Sequence, residues 1–226
     1  MLNKDKHRQV MYNILKEIFE LPFSNKLAFK GGTACYFLYG LDRFSTDLDF
    51  DIISDLKSGE NYDDEINNIL KKYGNIKKGQ NILLSYGNDD MNIKIDFSRN
   101  IWKNNKYEIV NFYGTDINIQ SKDTIFANKL VALTDRKRLA NRDIYDVYFF
   151  FKNSFPINES IILERTGKTL KQYLSEVLIF IKKLPKNYKI LEGLGEVLDE
   201  KQKSFVKNKL LNELIGILEM RVNFND

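Results

Sequence analysis

The chain has 226 residues, of which 43% are hydrophobic, so it can bury a core of normal size in one large or two small domains. A single cysteine excludes an internal disulfide and a cysteine-rich zinc site, and a single histidine argues against a catalytic triad. The apolar runs are far shorter than the roughly 18 residues of a membrane span, and the amino-terminal residues lack the apolar segment of a signal peptide. We therefore expect a globular protein in the cytoplasm, without a membrane partner.

The charge is distributed unevenly along the chain. Residues 120–226 contain 19 Lys and Arg against 14 Asp and Glu, whereas residues 1–119 contain 16 against 17. A basic second half would suit a polyanion such as RNA. Four lysines could then contact its backbone: Lys182, Lys183, Lys186 and Lys189. The alternative is a lysine-rich helical surface that is only solvated.

The first half of the chain predicts helices and strands in mixed order. Apolar residues at helical spacing predict a helix over residues 4–20, and Leu27-Ala28-Phe29 predicts a short strand that runs into two glycines, where another helix should begin. The next strand is predicted at residues 47–53. A helix with an acidic first turn then follows at residues 63–73. Four more strands are expected at residues 81–86, 91–97, 107–113 and 116–120.

The second half of the chain predicts helices throughout. Four segments carry apolar residues at three- and four-residue spacing: residues 123–133, 142–151, 168–182 and 203–220. We therefore expect an α/β (α+β) domain over residues 1–120 and a helical domain over residues 121–226.

The glycine turn after the first strand has the features of a phosphate-binding loop. Gly31 and Gly32 stand between a strand and a helix, where backbone N–H groups and the positive end of the helix dipole suit a triphosphate. Glycine would also permit positive φ and a close approach of the backbone to the phosphate. Such a pair alone is more commonly only a turn, so its meaning depends on the motif that follows it.

Three aspartates indicate a metal site. Alternation with period two sends Asp47 and Asp49 to one face of their strand, and it places Asp96 on the polar face of the strand at residues 91–97. Neighbouring carboxylates repel unless a cation lies among them, and hard oxygen ligands favour Mg²⁺ or Mn²⁺. If the two strands are neighbours, these carboxylates could hold two metal ions for nucleotidyl transfer. The alternatives are a half-solvated edge strand and a strand-end aspartate that only caps a turn.

The sequence resembles the AbiEii/AbiGii-type nucleotidyltransferases, the toxins of type IV toxin–antitoxin and abortive-infection systems. The resemblance spans residues 27 to about 150 and rests on three motifs in the family's order. They are Lys30-Gly31-Gly32-Thr33, then residues 43–50, and then residues 129–133 followed by Arg136 and residues 142–146. The resemblance implies a DNA polymerase beta-like nucleotidyltransferase core with a mixed sheet. It also implies a helical carboxy-terminal half that completes the active site.

The resemblance also assigns roles to individual residues. Gly31, Gly32 and Thr33 match the turn that holds the triphosphate, although Gly-Gly-Thr replaces the commoner Gly-Ser form. Asp47 and Asp49 match the metal-binding pair. The other matches are a small hydroxyl residue before that pair, a lysine in the helical region, and a later aspartate: Ser45, Lys129, and either Asp143 or Asp146. Asp51 has no counterpart in the family pattern, and we do not assign it to the metal.

The distal motif also has a structural interpretation. Lys129 and Arg136 lie on one face of the predicted helix, so they could reach a phosphate or simply extend out of the core into water. Arg142 and Asp146 are four residues apart and could form a surface ion pair.

These features predict a metal-dependent nucleotidyltransferase that moves a nucleoside monophosphate from a nucleoside triphosphate to an acceptor. We expect the acceptor to be an RNA 3′ end, such as the acceptor stem of a transfer RNA. The alternatives are a small-molecule acceptor, a protein acceptor, and a catalytically silent module that binds a nucleotide or a partner. A cognate antitoxin protein is implied by the resemblance only.

Overall fold

A computed structural model describes residues 3–54, 62–87 and 92–224. The first helices and strands are α1 (Lys4–Phe19), β1 (Leu27–Lys30), α2 (Gly31–Leu38), β2 (Leu48–Ile52), α3 (Tyr62–Lys71), β3 (Asn75–Lys78), β4 (Ile82–Ser85), β5 (Asn92–Ser98), β6 (Tyr107–Phe112) and β7 (Thr115–Gln120). The helices that follow are α4 (Lys122–Asp135), α5 (Asn141–Lys152), α6 (Glu159–Thr166), α7 (Leu170–Lys182), α8 (Glu200–Asn208) and α9 (Leu210–Phe224).

The strands form one mixed sheet in the order β3-β4-β5-β2-β1-β7-β6. β2 is parallel to β5 and antiparallel to β1, and β1 is parallel to β7. The remaining neighbours, β3 with β4, β4 with β5, and β6 with β7, are antiparallel. This mixed sheet, followed by helices, confirms the predicted α/β (α+β) class.

Alternating residues of the central strands build the apolar core beneath one face of the sheet. Phe50 of β2 stacks on Phe97 of β5 with ring centroids 4.9 Å apart, and it also contacts Phe29 of β1. Phe19 from α1 and Tyr62 from α3 cover these rings. Since successive side chains of a strand point to opposite faces, this packing directs Lys30, Asp49 and Asp96 to the other face.

The chain divides into two compact units, residues 1–101 with 106–121, and residues 102–105 with 122–226. The second unit has an aromatic core in which Phe126 contacts Phe150 and Phe151. The short segment Trp102–Asn105 groups with the helices because the Glu164 carboxylate accepts the backbone N–H groups of Lys103 and Asn104. None of the helices among the described residues has the length and the apolar composition that crossing a bilayer requires.

Several elements differ from the sequence-based predictions. β3 and α6 were not predicted, because β3 has a single apolar residue and α6 is only eight residues long. The helix predicted over residues 203–220 is two helices, since the backbone leaves the helical conformation at Lys209 while the apolar spacing continues. β2 begins at Leu48, so Asp47 precedes the strand on which it was predicted. Met91, at the start of another predicted strand, lies outside the described residues.

Candidate active site

Two of the three predicted metal-binding aspartates are brought together by strand register. Asp49 of β2 is the register partner of Asp96 of β5, and register partners on parallel strands present their side chains to the same face. Neighbouring strands are about 4.8 Å apart, so two carboxylates start from adjacent points of the backbone. On its other side Asp49 is the register partner of Lys30.

The glycine turn lies directly against this acidic strand. Gly31 has φ +80°, and a Cβ built on it would lie 2.5 Å from Oδ2 of Asp49. A Cβ on Gly32 would lie 2.9 Å from Nη2 of Arg43 and 2.9 Å from Oγ of Ser45. A side chain at either position would therefore have to displace neighbouring groups of the protein, and at Gly31 it would also be strained by the positive φ. From the sequence we predicted positive φ, which Gly31 has, and the approach of a phosphate, but not these contacts within the protein.

The hydroxyl groups of the predicted loop are directed into the protein. Oγ1 of Thr33 lies 2.9 Å from Oγ of Ser45 and also contacts the backbone oxygen of Asp47. Thr33 and Ser45 are both buried. These contacts fasten the segment before β2 to the first turn of α2, so the two hydroxyls position that segment. Their predicted role in binding triphosphate stays a prediction.

The segment that carries Asp47 is held from a second direction by a histidine that was not predicted to belong to the site. The buried His7 of α1 contacts the backbone oxygen of Thr46 through Nε2 at 3.0 Å, and its Nδ1 contacts the Tyr86 hydroxyl. A carbonyl only accepts, so Nε2 carries the proton and Nδ1 accepts from Tyr86. Burial lowers the pKa of His7 below its ordinary value. A signal was present, because His7 shares the helix face of Met11, Ile14 and Ile18.

Asp51 has a separate set of partners. Its carboxylate is buried and accepts from Nζ of Lys30 at 2.5 Å, from the Tyr107 hydroxyl at 2.9 Å and from Nε2 of Gln120 at 3.2 Å. These donors come from β1, β6 and β7. Asp51 of β2 is therefore linked to three other strands by one ion pair and two hydrogen bonds.

The donor set of the acidic strands fits a metal ion that is bound together with a nucleotide. Among the residues that the structure describes, no group of three or more His, Cys, Asp or Glu is placed to hold a metal ion. The three-carboxylate site of Asp47, Asp49 and Asp96 thus stays a prediction. What the structure shows of it is that Asp49 and Asp96 are register partners. Mg²⁺ is commonly held by one or two carboxylates together with substrate phosphates, so a pair of carboxylates meets its requirement.

A second ionic cluster lies in the helical unit. Nζ of Lys129 lies 2.7 Å from Oδ1 of Asp143 and 3.0 Å from Oδ2 of Asp146. Nε of Arg136 lies 3.1 Å from Oδ2 of Asp143, without the alignment of a hydrogen bond. Both aspartates are buried, so Asp146 does not lie at the surface, where a pair with Arg142 was considered; it forms an ion pair with Lys129. The cluster combines two cations with two anions.

Residues 13–212 match the family model for the nucleotidyl transferase AbiEii toxin of type IV toxin–antitoxin systems. The chain belongs to this family. It is therefore a nucleotidyltransferase, as the motifs predicted, and it corresponds to the toxin component of a type IV toxin–antitoxin system. Membership in the AbiEii family implies a nucleoside triphosphate as a substrate and an antitoxin as a partner.

Solved structures share the fold of this AbiEii-family chain. A candidate nucleotidyltransferase from H. pylori has 22% identity and a TM-score of 0.62, with 98% of this chain and 96% of that chain covered. JHP933 from Helicobacter pylori has 22% identity and a TM-score of 0.57, with 98% and 95% covered. An antigenic nucleotidyltransferase-like protein from Paracoccidioides brasiliensis has 11% identity and a TM-score of 0.52, with 82% and 92% covered. The comparison with curated proteins gave no match.

Proposed function

We propose that the chain uses a divalent metal ion to transfer a nucleoside monophosphate from a nucleoside triphosphate to the 3′ end of an RNA, such as the acceptor stem of a transfer RNA. The observation that carries the proposal is the register of Asp49 and Asp96 on parallel strands, beside a glycine turn that opens a helix. Carboxylates next to the first backbone N–H groups of a helix are the combination that a metal-bound triphosphate requires.

The first turn of α2 binds the outer phosphates of the nucleotide. Its N-cap, Lys30, makes no side-chain capping hydrogen bond, so the cap leaves the first N–H groups of the helix to other acceptors. These N–H groups and the positive end of the helix dipole attract phosphate oxygens. Thr33 and Ser45 keep this turn fixed relative to the segment that carries Asp47.

Asp47, Asp49 and Asp96 hold Mg²⁺ or Mn²⁺ in this proposal. When bound, the metal supplies positive charge that offsets the charge of the triphosphate and lowers the pKa of the acceptor hydroxyl. The hydroxyl oxygen forms a bond to the α-phosphorus, and the bond from that phosphorus to the bridging oxygen breaks. Pyrophosphate leaves and the hydroxyl proton passes to water. The protein supplies position and electrostatics, and no side chain acts as a nucleophile.

The choice of RNA as the acceptor rests on charge. Residues 120–226 have 19 Lys and Arg against 14 Asp and Glu, and cations that contact phosphates dominate the affinity of proteins for nucleic acids. Lys182 is already paired with Glu219. The other lysines of the predicted cluster, Lys183, Lys186 and Lys189, are therefore the stronger candidates for contacts with phosphates.

The proposal is tested by incubating the protein with each of the four labelled nucleoside triphosphates, Mg²⁺, and RNA, small molecules or protein as acceptors. We expect label in RNA with the wild-type chain and none with D47N or D49N. D63N is the matched control, because Asp63 is an exposed aspartate in the first turn of α3. Full incorporation by both D47N and D49N would overturn the mechanism. Label in small molecules or protein instead of RNA would show that the acceptor is not RNA.

Metal binding has its own readout. A ligand that binds only the folded state raises the unfolding temperature, by an amount set by its concentration relative to its Kd. We expect Mg²⁺ together with a nonhydrolysable triphosphate to raise the unfolding temperature of the wild-type chain and of D63N. The rise should be smaller for D49N and D96N, each compared with the same variant in EDTA.

A further inference from the structure

The helical unit contains a cavity of about 680 Å³ that none of the residues predicted to bind the nucleotide or the metal lines, whereas Lys189 of the predicted RNA-contacting lysines does. One wall is residues 138–142, which lead into the first turn of α5, and the other is formed by Pro185 and residues 187–189, 192 and 193. Ligand pockets of proteins commonly have volumes of about 300–1,000 Å³, so this cavity has room for a nucleotide-sized group.

The charged side chains that line the cavity are mainly cationic. Arg138, Arg142 and Lys189 line it, and the single acidic lining residue is Glu192. Arg138 pairs with Glu192 at 2.5 Å, but the two side chains are 83% and 57% exposed. An exposed ion pair contributes little and can be exchanged for another partner, so this pair does not close the cavity to an anion. The three cations come from two separated segments, which suits an extended anionic ligand better than a single phosphate.

The cavity wall is held in place by one buried amide. Nδ2 of Asn141 donates to the backbone oxygens of Lys189 and Glu192 at 2.9 and 3.0 Å, and its Oδ1 accepts from the Tyr188 hydroxyl at 2.5 Å. These three bonds fasten the second wall to the start of α5. They also fix the Tyr188 ring in the lining, where an aromatic face can receive a base.

The start of α5 adds to the positive potential of the cavity. Its N-cap is Ala140, which makes no side-chain capping bond, and α5 is 12 residues long. Ala140, Asn141 and Arg142 all line the cavity, so the positive end of the helix dipole lies at its wall.

We propose that this cavity binds the phosphodiester backbone of single-stranded RNA, with one base against the ring of Tyr188. The proposal rests on the proposed function, because it names where the helical unit holds the RNA acceptor. Arg138, Arg142 and Lys189 contact successive phosphates. Bases stack on aromatic rings without a strict sequence requirement, so the cavity contributes affinity and leaves the choice of sequence to other contacts.

The test is binding of a fluorescein-labelled oligoribonucleotide of about ten nucleotides, a length within the usual site sizes of single-strand binders. Anisotropy is measured in EDTA, so that no transfer takes place. R138Q and K189Q should each weaken binding about fivefold at 0.1 M salt and lower the slope of log K against log salt by about 0.7, the effect of one lost phosphate contact. K201Q is the matched control, since Lys201 is exposed on α8 and does not line the cavity. It should bind like the wild type.

Three further variants separate a loss of contacts with RNA from a loss of folding. E192Q removes the only acidic group of the lining and releases Arg138 from its ion pair, so it should bind the oligonucleotide more tightly. Y188F keeps the ring and loses only its bond to Asn141, so it should bind more tightly than Y188A, which should bind at least about fivefold more weakly than the wild type through lost stacking.

The proposal is overturned if R138Q, K189Q and E192Q all match K201Q in affinity and in salt slope. It is also overturned if free nucleoside triphosphate displaces the RNA from the wild type and from D49N equally well, since the cavity would then be a mononucleotide site. The labelled-nucleotide assay is independent of this one. If the wild type transfers nucleotide to RNA but the cavity variants bind RNA like the wild type, only the cavity as the RNA site is rejected. If the cavity variants bind RNA more weakly but the wild type transfers no nucleotide to it, only RNA as the acceptor is rejected.

Discussion

Asp49 and Asp96 are register partners on two neighbouring parallel strands. In a parallel pair both side chains stand on the same face, so the two carboxylates extend from neighbouring backbone positions without any loop to bring them there. The sheet itself therefore fixes the spacing of the acidic pair. Lys30, the partner of Asp49 on the other side, donates to Asp51. The two aspartates of β2 therefore differ in their surroundings. Asp49 stands beside another acid, Asp96, whereas the charge of Asp51 is neutralised by Lys30.

Asp51 and Asp49 should respond differently to the same substitution. Replacing Asp51 by Asn leaves Lys30 without its buried anion and disturbs bonds from Tyr107 and Gln120. Removing one partner of a buried ion pair costs about 3–5 kcal/mol of unfolding free energy. D49N relieves repulsion with Asp96 and should change stability by less than about 1 kcal/mol. Urea denaturation of both variants in EDTA measures this difference, and equal losses would contradict the separate roles.

Gly31 should be needed for two reasons: its positive φ, and the close approach of the Asp49 side chain to its Cα. In G31A the alanine must adopt φ near +80°, and its Cβ would lie 2.5 Å from Oδ2 of Asp49. We expect a loss of about 1–3 kcal/mol in unfolding free energy and loss of nucleotide incorporation, because Asp49 must move. G40A is the control, since Gly40 has φ +74° and no atom within 4 Å of its added Cβ. It should show the conformational cost and keep its activity. Equal activity of G31A and G40A would argue against a role for the close approach.

Much of the fold could be predicted because its signals are local. The alternation of β2 and β5 correctly separated Phe50 and Phe97 from Asp49 and Asp96, and the apolar spacing located α1, α4, α5 and α7. The pairing of β2 with β5 could not be read from the sequence, because α3, β3 and β4 lie between them in the chain. The partners of Asp51 come from β1, β6 and β7, so its role needed the sheet order.

Lys129 should contribute to stability whatever its part in catalysis. K129M would leave Asp143 and Asp146 buried beside a thioether in place of the ammonium group, with Nε of Arg136 still 3.1 Å from Oδ2 of Asp143. We expect a loss of about 3–5 kcal/mol in unfolding free energy. K129M/D146N removes one of the uncompensated charges and should recover part of that loss, so the double-mutant cycle should give a coupling energy above about 1 kcal/mol. Additive effects in urea denaturation would show that Lys129 and Asp146 do not act as a pair.

The activity of these variants must be compared at equal folded fraction. If K129M/D146N is as folded as the wild type but incorporates no nucleotide, Lys129 has a role beyond the ion pair. If incorporation recovers with stability, the cluster acts by holding α4 and α5 together, the two helices that carry it.

His7 should make the stability of the protein depend on pH near neutrality. Burial lowers the pKa of His7 in the folded state, although the Thr46 carbonyl and Asp47 act in the opposite direction. Below the ordinary histidine pKa of about 6.5 the unfolded chain therefore binds a proton that the folded chain does not bind. Stability is then full above about pH 6.5 and falls as the pH decreases towards the folded pKa, by at most about 1.4 kcal/mol per pH unit.

Substitution of His7 isolates this effect from the carboxylates. H7N cannot titrate in this range, so its unfolding free energy should vary less between pH 7 and pH 5 than that of the wild type. Y86F removes the hydroxyl that donates to Nδ1 of His7 and leaves the imidazole in place, so it should be less stable at pH 7 but keep the slope. Urea denaturation in EDTA measures the three proteins without a bound metal near Asp47. Parallel curves for H7N and the wild type would show that His7 binds its proton equally in both states, and the contact with Thr46 would then stabilise the segment before β2 without linking it to pH.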